Sequence, residues 1–490
     1  MRSRGAFLSL VVLLGLVVGG AWFLDQRVGL HPARALAGSR SVAGPDDAPS
    51  GAWYCPHGGG VGWRGFVAVT NPGDTPVSIR VRSMSHRGTT PAQVLTVPPR
   101  GRVAVDVASG SREAATEVEY FGGWVAAGWV TTAGAPTGGP TASPSMSPSP
   151  SPSPSRSAGG GGGESGSPSG TAVEQGVAAE SCANAAGRTW YLPDGTTTQG
   201  QEDYVVVMNP FGTEAVFRLR LVAEGREVDA GDLSLPAGSS MAVHVNHEAL
   251  GEQTVAAVIQ ASIGRVAAAS LGIVDEGGIR SAIGVQQTIT DPVIPSAGDA
   301  GGTEIPFLNP AHHGISYGVD FLSHDGRHLA LPKGQRVGPD ASRTETLTAT
   351  GPGAVSLVPD QGAAVAAARR TLGLRGDQGA TPALAPAPAW LLTSPAGSAS
   401  DSVQIALANP GTRPVTVTLT VLGGQPSTSV VTVPPDSSVA APLGSTDAQA
   451  SVVATAPSGT FLAVETSTQR TGAGYAASAG VPIPPQWVPR

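Results

Sequence analysis

The only thiols in the chain are Cys55, in "WYCP", and Cys182, in "ESCANAAGRTWY". In an exported chain two cysteines read most simply as one disulfide. That bond would tie the first folded unit to the lead-in of the second across a long linker. Closing so long a loop stabilises by about 5 kcal/mol at most in the chain-entropy model. Histidines gather at His312, His313, His324 and His328. A metal site needs three convergent ligands oriented by further hydrogen bonds. No zinc spacing fits here, so these are read as solvated loop histidines, with His324 at the tip of a hairpin made by residues 316–322 and 327–331. "HVNHE", His244 to Glu248, has the residue types of a zinc protease but not the helical H-E-x-x-H order. It reads as a continuation of the alternating strand "MAVHV". No metal or cofactor is expected.

The carboxylate pairs Asp46-Asp47 and Glu202-Asp203 lie in turn-like sequence. A glycosidase pair would come from distant strand ends, so a carbohydrate-active hydrolase stays open as an alternative. There is no serine elbow, phosphate-binding glycine loop or dinucleotide fingerprint; the glycines at 159–163 follow no strand and open no helix. The aromatics of the first unit, among them Trp53, Trp63, Trp124 and Trp129, could form a sugar platform. Trp124 and Trp129 sit in an apolar run and are expected in the core. Trp63, beside Arg64 in "GGGVGWRG", is expected to be the exposed, ligand-facing one.

The elements that must hold these residues follow from composition. A chain of 490 residues is too long for one ordinary core. With 67 glycines, 43 prolines and 13% charged residues it is rich in turns and poor in surface charge. A net charge of −7, with Lys333 the sole lysine, argues against a nucleic-acid surface.

Arg2 and Arg4 precede a charge-free run from Phe7 to Leu24, 18 residues long and just sufficient to span a bilayer. Residues 1–6 then stay cytoplasmic and everything beyond Asp25 is exported. The alternative is a cleaved signal peptide, but the small-x-small site Ala35-Leu36-Ala37 begins well past the apolar run. The partner expected at this end is the membrane, through a single span.

Residues 135–175 hold a Ser/Pro/Gly tract, "SPSPSPSPSRSAGGGGG" at its centre, with nothing to bury. The Ser-Pro half favours extended polyproline II and the glycine half is flexible, so the tract reads as a disordered spacer open to O-glycosylation. Around it, Asn-Pro recurs as Asn71-Pro72, Asn209-Pro210, Asn309-Pro310 and Asn409-Pro410. Each closes one alternating apolar run and precedes another, the period-2 pattern of half-buried strands. A proline turn follows at "VPPRG", "LPAGS", "LPKGQRV" and "VPPDS", and an apolar strand ends each copy. "AWYCP", "TWYLP" and "AWLLTSP" open three copies; the third opens on "DPVIP" instead.

The fold class is therefore all-β: four tandem antiparallel β-sandwich units, immunoglobulin-like or jelly-roll-like, after an N-terminal transmembrane helix. The expected boundaries are an anchor at 7–24, a stalk at 25–50, and units at 51–134, 176–287, 288–384 and 385–490. The third unit is the weakest match, and its alanine-rich stretch from Val337 is expected to be partly helical. In the Asn-Pro turns, proline stops the ladder and Asn bonds its own downstream backbone. Gly73 and Gly411 suit a type II turn with positive φ, whereas Phe211 and Ala311 suit type I.

The anchor, "WYCP", the Asn-Pro strand ends and the closing "GYAASAGVPIP" resemble a family of large membrane-anchored actinobacterial proteins defined as a domain of unknown function. The resemblance spans most of the chain outside the linker. It implies an envelope protein rich in β-sandwiches, encoded near glycosyltransferases, and carries over no catalytic residues. The expected function is a non-catalytic envelope scaffold that binds envelope glycan or an envelope protein. The alternatives are an accessory subunit of an envelope glycosyltransferase or exporter, and the hydrolase already named.

Overall fold

A computed structural model describes residues 50–134 and 174–488, apart from 224–225, 276–277, 298–300, 349–350, 373–377, 394–401, 424–426, 444–449 and 469–474. The apolar run at 7–24, the stalk and the linker tract lie outside the described residues. Among the described residues no helix is long and apolar enough to cross a membrane.

Ser50–Arg490 forms one compact unit built almost wholly of antiparallel strands. It contains four copies of one eight-stranded sandwich. In the second copy the strands are Thr189–Leu192, Gln201–Asn209, Ala215–Ala223, Arg226–Leu235, Ser239–His244, Val255–Ile263, Ala267–Val274 and Gly278–Ile283. Numbered in that order, one sheet runs 1-6-3-4 and the other 5-2-7-8. The other three copies repeat this order, with the fourth strand split in the first copy and the short strand Val481–Pro482 added beside Ala389–Leu392 in the last. Alternation drives the layering: Phe217, Leu219 and Leu221 of strand three face Val205 and Val207 of strand two in one core, while Arg218 and Arg220 point outward.

The eighth strand of the first copy is Gly176–Ser181, which lies beyond the linker. It pairs with Ala126–Ala133 from Gly128↔Ser181 to Ala133↔Gly176. This corrects the expected boundary at 176. The linker is not a spacer between two units; it is an insertion in the last hairpin of the first unit, leaving and returning at paired positions.

The third unit also departs from expectation. Its proline turn is not "LPKGQRV", which lies inside the long strand Gly326–Val337, but "VGPDA", from Val337 to Ala341. The stretch expected to be partly helical forms the strands Ala341–Leu347, Gly353–Pro359 and Ala366–Leu372, with one 3-10 turn at Asp360–Gly362 as its helical part. A twelve-residue fourth strand with irregular register against Ile315–Ser323 displaces the turn. The hairpin tip at His324 and Asp325 is where the pattern places it.

All four Asn side chains are buried and act alike. Asn209 Oδ1 accepts the Phe211 N–H, while its Nδ2 donates to the carbonyls of Thr213, Leu235 and Pro236 at 2.8, 3.1 and 3.1 Å. Asn71, Asn309 and Asn409 repeat the pattern. The Asx turn was legible in the sequence; the clip to the turn between strands four and five was not. Gly73 and Gly411 do not have positive φ, so one turn serves all four copies and Phe211 and Ala311 fit it. The left-handed residues are instead Arg100, Gly238, Asp340 and Asp436, whose N–H groups reach back to the residues two places after each Asn.

The copies close into a ring. The eighth strands Gly176–Ser181, Gly278–Ile283, Gln378–Pro382 and Tyr475–Ala479 pack on one another in turn, the first against the last. Small residues permit this approach; a Cβ on Gly176 would stand 2.8 Å from the Ile279 nitrogen, and one on Gly379 would stand 2.8 Å from the Tyr475 ring. Each unit's fifth strand meets the preceding unit, as in Ser240 Oγ–H to Glu113 O and Ser342 Oγ–H to Val222 O. The seam between first and fourth units carries Thr70 Oγ1 against Ser451 Oγ at 2.6 Å and one apolar cluster joining Trp53 and Val67 to Leu391 and Val453.

Candidate functional site

Antiparallel order places the Asn-Pro turns, the proline turns and Ser50 at one end of the ring. The loops after strands one, three, five and seven, and both ends of the linker, lie at the other end. Most of the candidate residues fall there.

Cys55 and Cys182 form a disulfide. Because Gly176–Ser181 belongs to the first unit, the bond does not join two units as expected. It joins the two sheets of the first unit, and both sulfurs lie in that unit's core.

Trp63 is not a ligand-facing surface aromatic: it is 6% exposed. Val206, Leu271 and Ile273 of the second unit cover it. Its Nε1–H donates to Glu174 at 2.8 Å. The Arg112 guanidinium lies 5.3 Å from the rings of both Trp63 and Tyr204, and it is paired with Glu174. Tyr204 stacks on His244 at 4.5 Å, and His244 meets His247 at 4.2 Å. This cation and aromatic column seals the seam between the first two units, with its outer members at the surface. Trp53, Trp124 and Trp129 are core residues.

"HVNHE" does not simply continue its strand; the strand ends at His244 and Val245–Glu248 makes one helical turn. The third unit's histidines do not converge. His312 pairs with Asp340 at the Asn-Pro end, while His324 and His328 bond Asp325 and Ser323 at the opposite end. Among the described residues no three metal-ligating side chains meet. His57, absent from the sequence reading, is fully buried: Nδ1–H donates to Gly58 O at 2.7 Å, and Thr116 Oγ1 lies 3.0 Å from Nε2. Burial pulls its pKa down to about 4, so it is neutral.

Glu202 and Asp203 point to opposite sides. Asp203 is buried against Arg280 at 2.9 Å. Arg280 also reaches Asp194, which Arg370 approaches at 2.5 Å, and Arg370 bonds Glu304. Burial opposes the charge on Asp194, but the Arg370 and Arg280 guanidiniums outweigh it and hold the carboxyl below its ordinary value. At Asp203 burial prevails and raises it. These charges cross the seam between second and third units. Nothing in their spacing along the chain announces them.

Glu202 faces outward into a groove of about 440 Å³ at the same end. Gln199, Gln201, Asn246, Leu250 and Asp275 complete its working surface. The loops are set by buried bonds: Asn246 holds the Gln201 carbonyl and the Asp203 N–H at 2.7 and 2.9 Å, and Thr197 exchanges backbone bonds with Glu252 and Gly251. Three loops distant in sequence build this groove, so no single motif reveals it.

Comparison with curated proteins finds no match. Residues 169–389 match the profile of a family of unknown function (DUF5719). The matched stretch opens just before the eighth strand of the first unit, covers the second and third units, and stops at the first strand of the fourth. The chain thus carries, at residues 169–389, a DUF5719 domain of unknown function.

Proposed function

We propose that this chain is a non-catalytic binding scaffold of the cell envelope, anchored by residues 7–24, with the ring outside the membrane. The observation that carries the reading is the buried Cys55–Cys182 disulfide inside a closed ring. Disulfides persist in oxidising compartments, which suits an exported chain. A ring whose four cores merge at its seams is a rigid support, and rigid supports present loops for recognition. The partner is envelope glycan or an envelope protein. The test is retention of envelope material by the purified chain, alongside assays on cell-wall polymers. Selective retention supports the reading. Hydrolysis or group transfer abolished by a point mutation contradicts it, as does failure to retain any envelope component.

A further inference from the structure

We propose that the groove on the second unit binds a neutral, hydroxyl-rich ligand, a sugar of one or two rings. The proposal rests on the binding-scaffold reading and specifies its ligand. The groove's volume, about 440 Å³, falls within the range of small-molecule sites, roughly 300–1,000 Å³. The Thr197 and Thr198 hydroxyls and the Asn246 amide are engaged within the loops, which leaves the amides of Gln199 and Gln201 and the carboxylates of Glu202 and Asp275 as its hydrogen-bonding groups. An amide offers donors and an acceptor to neighbouring hydroxyls, and a carboxylate accepts from two of them at once. Gln199 and Glu202 are exposed to the groove end, and Glu202 is oriented by the Tyr204 hydroxyl at 2.8 Å.

Charge selects the class. No lysine, arginine or histidine lines the groove, whereas Glu202 and Asp275 do. Phosphate, sulfate and carboxylate ligands would meet uncompensated repulsion there. A metal ion is disfavoured on the other side, because among the described residues no three ligating side chains converge. Leu250, 77% exposed on the rim, supplies an apolar surface for the C–H face of a sugar ring. The loops are already fixed by the Asn246 and Thr197 hydrogen bonds, so little ordering cost is left to binding.

The experiment is saturation-transfer NMR on the full chain with methyl glucoside, methyl mannoside, cellobiose and diacetylchitobiose, and with glucose 6-phosphate as the anionic control. Variants are Gln199→Ala, Glu202→Gln with Asp275→Asn, and Leu250→Ala, the last altering a side chain too exposed to unfold the domain. At least one neutral sugar is expected to bind, each variant weakening it about fivefold or more, as the loss of one good contact predicts. Glucose 6-phosphate is expected to bind less than the neutral sugars. Absence of binding by all four neutral sugars, binding unchanged in the variants, or preference for the phosphate overturns the proposal. Envelope retention by the same variants separates the two readings. If the unmodified chain and all variants retain envelope material equally, the groove assignment fails and the scaffold reading stands. If the unmodified chain retains nothing, the scaffold reading itself fails.

Discussion

Cys55 is bonded to Cys182 at the position where, in the second and fourth units, a leucine lies over a glycine. Tyr54 bridges Ala183 as Tyr191 bridges Val285 and Leu391 pairs with Val481, which sets Cys55 in register with Leu192 and Leu392, and Cys182 with Gly284 and Gly480. A Cβ on Gly284 or Gly480 would stand 3.3 or 3.2 Å from the leucine side chain. The first unit thus replaces a packing contact with a covalent one. It is also the unit whose eighth strand returns after the long insertion, where the chain connection does least to hold that strand in place.

Replacing both cysteines by serine is expected to cost about 2–5 kcal/mol of unfolding free energy, read by denaturant titration. Cys55→Leu with Cys182→Gly should recover part of that loss by restoring the contact of the other units. Equal loss in both double variants would show that packing at this point contributes nothing.

Excising residues 135–173 and joining Gly134 to Glu174 through a short glycine turn is expected to leave the ring folded. The deletion should also shrink the penalty of the serine variants, since a shorter loop has less closure entropy to lose. Loss of the folded state would contradict the paired departure and return of the linker at Ala133 and Gly176.

The Asn clip predicts equivalent costs in different units. Asn209→Ala and Asn409→Ala each strand buried carbonyls and should destabilise by about 2–3 kcal/mol. Asn409→Asp should cost more, because a carboxylate oxygen then faces the Arg413, Val433 and Pro434 carbonyls. Thermal melts of the set decide this.

Two buried groups set opposite pH slopes. Glu180 lies between the eighth strands, its Oε1 accepting from the Ser181 and Ala479 N–H groups. Burial raises its carboxyl well above the ordinary 4.5. The folded state favours its protonated form, so its contribution is complete below about pH 4.5 and is lost as pH rises toward the folded value. Glu180→Gln should flatten that loss above pH 4.5. His57, lowered from 6.5 to about 4, acts in the other direction: its contribution is present above 6.5 and lost as pH falls toward 4, amounting to roughly 3 kcal/mol. Melting temperature against pH for Glu180→Gln and His57→Gln should show two separable slopes. Parallel curves for all three proteins would refute both assignments.

The sequence displayed what repeats at short range. Period-2 alternation and proline punctuation revealed the strands and the Asn-Pro stops, and the count of two cysteines gave the disulfide partners. Closure was hidden because it depends on the eighth strands. "GVAAES", "GIRSAI", "QGATP" and "YAASA" share smallness rather than a motif, and one of them sits behind the linker. Read as a repeated small-residue segment, they would have moved the first boundary to its place. Trp63 looked exposed because its cover comes from Val206 and Leu271, more than 100 residues away. Nothing in the sequence marked Arg280 and Arg370, because their acidic partners lie in other strands and loops.

Closure of the ring is tested most directly at its last seam, where Thr70 and Ser451 touch. Thr70→Cys with Ser451→Cys should form a disulfide within the monomer on oxidation, found by peptide mapping beside an intact Cys55–Cys182 bond. Two free thiols at 70 and 451, or a bond formed only between molecules, would contradict the closed ring and the scaffold built on it.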